Sequence, residues 1–366
     1  MDFRVVVGAV QSVNHGEDPY FLLILNQYTD DYIPFNYAPH TLLILWCLQF
    51  LFIYHSIWIY YGLLVAFMVV DGYLIVTLDQ KPEYLFFIVL LVTGFVSTFW
   101  NFYGGDKDFL FLFLFACIFH LLLKEKFWQS SIVLGLLGSF TLVPLPFVAL
   151  SLAIKRPILK RIQYILLSIG VVVVLFLIAW LINPALFESY IKTFQVSSSA
   201  LYEKSDSRTP TPFLMLGVLI NQTNAISIPL VLVSLVYIFL IIGASWYAIR
   251  KNQENPLKVY SLAMFAIFMI LPRIKPYYFI FLAIPLYILF KDCSYKIKIL
   301  VFVVISLLPL FAWYLSNFYR YYSFYYTGSL PYLISEYGQT ISLFLIFAIT
   351  IALEYYKPVS SPATHS

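Results

Sequence analysis

Charge is scarce in this 366-residue chain: Lys, Arg, Asp and Glu together make up 11%, against about 25% in a soluble domain. A chain so poor in charge cannot dress a water-facing surface, so two or three soluble domains are excluded despite the length. Cysteine is scarcer still. Cys47, Cys117 and Cys293 lie in or beside apolar segments and form no CxxC or other metal spacing, so they read as packing residues. There is no HExxH, no GxSxG and no His/Cys cluster, which leaves a membrane protease or metalloenzyme without support. The first residues lack a basic stretch followed by an apolar core, so no cleavable signal peptide is expected. No period of about 20–50 residues repeats, so there is no solenoid. A net charge of +4 carried by short loops gives no nucleic-acid footprint.

What the chain does hold is hydrocarbon. It is 62% hydrophobic and 20% aromatic, with 30 Tyr and 35 Phe, and its mean hydropathy is +0.87. Tyr suits the headgroup zone, where the ring is buried and the hydroxyl is wet. A span needs about 20 apolar residues. Candidates fall at 41–55, 57–78, 84–100, 107–123, 128–154, 162–182, 227–249, 259–272, 277–290, 299–316 and 339–355. The expected fold is all-α: a polytopic transmembrane bundle of about ten spans. Pro144 and Pro146 predict that 128–154 is a broken helix or a pair of half-helices.

Lys and Arg set the orientation. Lys124 and Lys126, then Lys155, Arg156, Lys160 and Arg161, then Arg250, Lys251 and Lys258, then Lys291, Lys296 and Lys298, and finally Lys357, all fall on one side if 128–154 goes in and out. That side is read as cytoplasmic. Three parts follow: residues 1–40 outside, a bundle over 41–355, and a cytoplasmic tail over 356–366. Outer loops fall near 101–108, 183–212, 273–276 and 317–338. One parity conflict remains. With residues 1–40 outside, the spans between 41 and 100 are one too many, so either 41–78 holds a non-crossing hairpin or one span there is false.

The unusual residues collect on the outer face. "DFRVVVGAVQSV" has helical apolar spacing, and "HGEDPY" makes a turn through Gly16 and Pro19. The segment reads as an amphipathic interfacial helix. Asp2 is either its N-cap or a functional acid. Asp18, Asp30 and Asp31 follow, then Asp106 and Asp108 in "YGGDKDF", which either orient a substrate or cap the next helix. Arg273 and Lys275 in "LPRIKPYY" either anchor to lipid phosphate or serve a site. Asp71 lies in an apolar span, as a structural hydrogen-bonding residue or in a buried polar cluster. His15 and His40 flank the opening segment, and Arg208 sits in the longest outer loop.

These stretches, in order from residue 2 to about 290, resemble the GT-C membrane glycosyltransferases, in particular glycosyltransferase family eighty-seven and the GPI mannosyltransferase I catalytic subunit. The resemblance is carried by Asp2-Phe3-Arg4-Val5, Gly16-Glu17-Asp18-Pro19-Tyr20, Tyr37-Ala38-Pro39, Asp71-Gly72-Tyr73-Leu74, "YGGDKDFL", "GLLGSFTLVPLPFV" and "PRIKPYYFIFLAIPLYIL". It implies an inverting transfer of a sugar, mannose first, from a polyprenyl-phosphate donor to a lipid-linked or glycan acceptor. It implies a multi-pass plasma-membrane protein with its active site on the extracytoplasmic face, in contact with membrane lipid and without nucleic acid. Asp2 inherits the general-base role. Arg273, Lys275 and Tyr277 inherit the donor phosphate, and Asp18, Tyr20, Tyr37, Asp106, Asp108 and His15 the lining of the acceptor site. The resemblance admits a divalent cation, for which the sequence offers no ligand set, and no other cofactor.

The chain departs from the pattern twice. A lysine is implied where it has Thr141 or a neighbour in "SFTLVP", and a leading transmembrane helix ahead of Asp2 is absent. These departures keep a truncated or non-catalytic homologue open as an alternative. The Pro-broken span keeps open a polytopic transporter or flippase.

Overall fold

The structure is a computed structural model and describes residues 2–29, 35, 37–42, 57–78, 83–99, 108–140, 144–199, 212–220, 228–271, 276–322 and 330–356. Among them every regular element is helical. In chain order these are α1 (Asp2–Asn14), α2 (Leu22–Thr29), α3 (Ile57–Val76), α4 (Tyr84–Thr93), α5 (Asp108–Leu123), α6 (Phe127–Phe140), α7 (Ile158–Ile182), α8 (Pro184–Ser199), α9 (Pro212–Leu219), α10 (Ile228–Lys251), α11 (Pro256–Met269), α12 (Ala283–Phe290), α13 (Tyr295–Phe302), α14 (Leu308–Tyr322) and α15 (Leu330–Tyr356). Short 3-10 stretches stand at Gly94–Val96, Leu145–Ala153 and Pro276–Leu282, and a π turn at Val303–Leu307 joins α13 to α14.

Four helical stretches are long and apolar enough to cross a membrane: Ile158–Ile182, Pro229–Lys251, Tyr295–Ser316 and Tyr337–Tyr356. The 25 residues of α7 reach about 37 Å at 1.5 Å per residue, longer than a hydrocarbon layer of roughly 30 Å. Their outward faces are apolar, as with Leu166, Val173 and Leu177 on α7 and Leu232, Val236 and Phe239 on α10. In water this would be a defect; in lipid it is the required surface. The protein is an integral membrane helical bundle.

The core is aromatic and centres on α5, α11 and α12, which are apolar nearly all round and correspondingly buried. Phe115 packs against Phe147 at 4.9 Å and Phe281 at 5.2 Å, and Phe268 against Phe279 at 5.3 Å. Pro144 does break the expected 128–154 span: α6 stops at Phe140 and the chain resumes as the 3-10 helix Leu145–Ala153.

The expected span at 41–55 lies almost wholly outside the described residues, while its flanks are described. Phe67 meets Phe113 at 6.0 Å, and His120 Nε2 donates to the Leu74 carbonyl at 2.8 Å. Helices α3 and α5 therefore run the same way, so Ile57 starts at the end where Asp108 starts. Leu42 lies at that end too, beside the C-terminus of α6, where His40 meets Ser139. Leu42 and Ile57, which bracket the undescribed stretch, thus stand at one end of the bundle.

The opposite end is basic and is stapled by charge. Arg156 pairs with Glu125 at 2.6 Å and lies over the Phe127 ring. Lys298 pairs with Glu83 and lies over Phe86. Lys251 donates to the carbonyls of Glu354 and Tyr355, each at 3.0 Å, and Asn252 to the Glu354 carboxylate at 2.7 Å.

Helices α6 and α7 cross closely. Ser168 Oγ donates to the Ser131 carbonyl at 2.8 Å. A Cβ on Gly135 would stand 2.6 Å from the Ser168 carbonyl oxygen and 2.7 Å from Val171 Cβ. Small residues at such a crossing let backbones approach. Gly135→Ala is expected to force the helices apart and cost about 1–3 kcal/mol. Gly170→Ala, with nothing within 4 Å of its Cβ, should be neutral or stabilising. Thermal unfolding of both variants in lipid checks the contrast.

Candidate active site

The opening segment folds as a unit. Val5 and Ala9, one turn apart on α1, turn inward with Tyr20, Leu25, Phe35, Tyr37, Ala38 and Leu42. Gly16 makes the turn after α1 with φ +73, a conformation that costs glycine little. Asp18 Oδ1 accepts the Tyr20 N–H at 2.9 Å, which holds the next bend. The Tyr20 hydroxyl then donates to the Tyr37 carbonyl at 2.6 Å and closes the unit. Burial, with Tyr190 and Asp18 adding to it, raises the Tyr20 phenol far above its ordinary value, so it stays a neutral donor.

The unit docks on the end of the bundle away from the basic loops. Tyr20 packs 5.6 Å from Tyr190 of α8, and Tyr190 5.9 Å from Phe176 of α7. The Ala38 N–H donates to the Phe140 carbonyl at 3.4 Å. His40 Nε2 meets Ser139 Oγ at 3.2 Å, and the His40 ring lies between Phe140 at 6.4 Å and Phe176 at 5.7 Å. Burial pushes the His40 imidazole down to about 4. Asp108 is fully buried as the first residue of α5, where a carboxylate complements the helix dipole. One turn on, Phe111 touches both Phe140 at 6.1 Å and Phe281 at 6.4 Å.

The expected site residues divide accordingly. Asp18, Tyr20, Tyr37 and Asp108 come together at this end. Asp18, Tyr20 and Tyr37 shape the docked unit from within. His15 belongs to the same unit but faces outward; its Nδ1 bonds the Gln11 carbonyl at 2.8 Å, and its ring lies 5.5 Å from Tyr28. Asp2 begins α1, with its side chain outside the described residues. Tyr277 is the second residue of the 3-10 helix Pro276–Leu282 at the same end of the bundle, its side chain likewise outside them. Asp30, Asp31, Asp106, Thr141, Arg208, Arg273 and Lys275 lie outside the described residues altogether. Asp71 stands apart: it is fully buried in the α3–α5 seam, and its carboxylate has no hydrogen-bond partner among the described residues. Sequence reasoning missed Tyr190 and Ser139. The only signal for Tyr190 is its helical spacing from Phe187, and Ser139 carries none. Among the described residues no three His, Cys, Asp or Glu side chains group to hold a metal ion, so the described donor set does not fit one.

An all-helical membrane bundle with acids, tyrosines and a docked loop gathered at one end is the framework of an enzyme acting at a membrane surface. The chain belongs to glycosyltransferase family 87, whose family pattern matches residues 35–272. It is accordingly an integral membrane glycosyltransferase. A search of the curated proteins found no match, and neither did a search of the solved structures. The matched span includes Tyr37, His40, Asp71 and Asp108; Asp2, Arg273, Lys275 and Tyr277 fall just outside it.

Because His40 folds as neutral imidazole, its value near 4 compares with about 6.5 unfolded. The unfolded chain then binds the extra proton, so stability is full above pH ~6.5 and is lost as pH falls towards ~4. The melting temperature in lipid should drop by about 2–4 °C more between pH 7 and 5 in the wild type than in His40→Gln, which cannot titrate there.

Proposed function

We propose that this glycosyltransferase moves a sugar, mannose first, from a polyprenyl phosphate to a hydroxyl of a lipid-linked or glycan acceptor, with inversion, at the end where the opening unit docks. The observation that carries the reading is that docking. The opening unit, whose first helix begins at Asp2, packs on the end of the bundle away from the basic loops, and the reading sets Arg273 and Lys275 across the site from it. The basic staples lie at the other end. Loops rich in Lys and Arg stay cytoplasmic, which supports an extracytoplasmic site; the plasma membrane belongs to the same proposal.

The chemistry asked of the residues is small and specific. The acceptor oxygen attacks the anomeric carbon as the carbon–oxygen bond to phosphate breaks. The bonding pair leaves with the polyprenyl phosphate, and the acceptor proton passes to the Asp2 carboxylate. A carboxylate holds and orients that hydroxyl before it accepts the proton. The phosphate gains charge as it leaves, and Arg273 and Lys275 neutralise it, with Tyr277 donating a hydrogen bond.

Purified protein in lipid, given radiolabelled polyprenyl-phosphate mannose or glucose and a lipid extract as acceptor, tests this. Asp2→Asn is expected to lower turnover by about 10²–10⁴-fold while thermal unfolding stays within ~0.5 kcal/mol of wild type. Turnover by that variant at the wild-type rate removes Asp2 as the base. Arg273→Gln and Lys275→Gln should each raise the donor KM by about 10–100-fold, as loss of a charge-assisted contact does, and leave the acceptor KM in place.

A further inference from the structure

Two adjacent side chains at the docked end have bonding capacity that the described residues leave unused. Ser139 has one hydroxyl proton, and it is donated to the Leu136 carbonyl at 2.7 Å. Ser139 Oγ therefore meets His40 as an acceptor, so the proton on His40 sits on Nε2, 3.2 Å away. The neutral ring then carries a bare lone pair on Nδ1. That atom is buried and has no hydrogen-bond partner among the described residues, and the same holds for Thr41 Oγ1 on the next residue. The two residues are 6% and 5% exposed. Buried polar atoms in folded proteins nearly always have partners, and exceptions at a site call for an explanation.

The chemistry of the pair narrows what it can bind. A neutral imidazole has no charge to offer a phosphate. Nδ1 can only accept, so its ligand must donate; Thr41 can do either. A neutral ligand with neighbouring hydroxyls meets both demands, and a sugar is such a ligand. The pair also belongs to the opening unit that carries Asp2, not to the 272–277 stretch assigned to the donor phosphate. Both residues lie within the span matched by the family.

We propose that His40 Nδ1 and Thr41 Oγ1 form a subsite that takes two neighbouring, non-reacting hydroxyls of the acceptor sugar. Assigning the hydroxyls to the acceptor rests on the transfer reading above; the demand for a hydroxyl ligand does not. Both atoms are covered in the free protein, so binding displaces the side chains over them. His40 is a positioning residue, and the acceptor's reacting hydroxyl is left to Asp2.

Calorimetry in nanodiscs with hexyl mannoside, glucoside and galactoside tests the subsite, alongside the transfer assay. His40→Gln keeps an amide where Nε2 stands, and so the bond to Ser139, but removes the Nδ1 acceptor. Thr41→Val keeps shape and removes the hydroxyl. Each is expected to weaken binding of a glycoside that the wild type binds by about tenfold. Each should raise the acceptor KM by the same factor while the donor KM and the melting temperature hold. If His40→Gln does not fold, the near-isosteric Thr41→Val carries the test. The proposal is overturned if the wild type binds none of the three glycosides, if the variants bind them as the wild type does, or if only the donor KM moves. Loss of glycoside binding in the variants of a wild type that transfers no sugar supports the subsite and removes the reaction instead.

Discussion

Hydrocarbon offers no hydrogen bonds, so each backbone N–H and C=O inside the bilayer has to be satisfied within the chain. This constraint explains why the described elements are all helices, and it also governs where they depart from regularity. The 3-10 helix Leu145–Ala153 buries Phe147 and Leu150, and the π turn Val303–Leu307 buries Val304, Ile305 and Ser306. Hydroxyls repair the breaks. Ser97 donates to the Gly94 carbonyl at 2.8 Å beside Val96, a β-branched residue held at φ 59. Ser306 donates to Thr93 Oγ1 at 2.8 Å, and Thr93 to the Val89 carbonyl at 2.6 Å, which ties the π turn to the end of α4. Each irregular stretch thus turns part of its length into the protein, while Leu152, Val303 and Leu307 face outward.

The same economy separates the two ends. At the basic end, charges are used up on one another and on helix ends, as with Arg156 and Glu125, so that face is stapled. At the other end the opening unit is held mainly by aromatic contact, through Tyr20, Tyr190 and Phe176. Among the described residues its polar links to α6 are the long Ala38–Phe140 bond and the His40–Ser139 bond.

Much of the fold was legible from residue patterns. Runs of apolar residues locate most helices, Pro144 marks the break after α6, and the lysine and arginine clusters separate the two ends. Whether the stretch near 41–55 crosses was not legible, because hydropathy registers an apolar run but not its path. Of the site, the Asp18 turn and the start of α5 at Asp108 could be read locally, since each depends on neighbours in sequence. Tyr190 could not, because its partner Tyr20 lies far away along the chain. The tautomer of His40 was beyond reach for another reason: it depends on where Ser139 sends a single proton.

The docking of the opening unit also constrains the order of assembly. The ring that Tyr20 packs against, Tyr190, leaves the ribosome about 170 residues after it. At about 5–20 residues per second the opening segment waits roughly 10–30 s, with its apolar face uncovered, until α7 and α8 have been made. Interfacial lipid is the obvious temporary cover for Val5, Ala9 and Leu25. The docked opening unit is therefore a late-maturing part, finished only once α8, about 170 residues further along the chain, has been made.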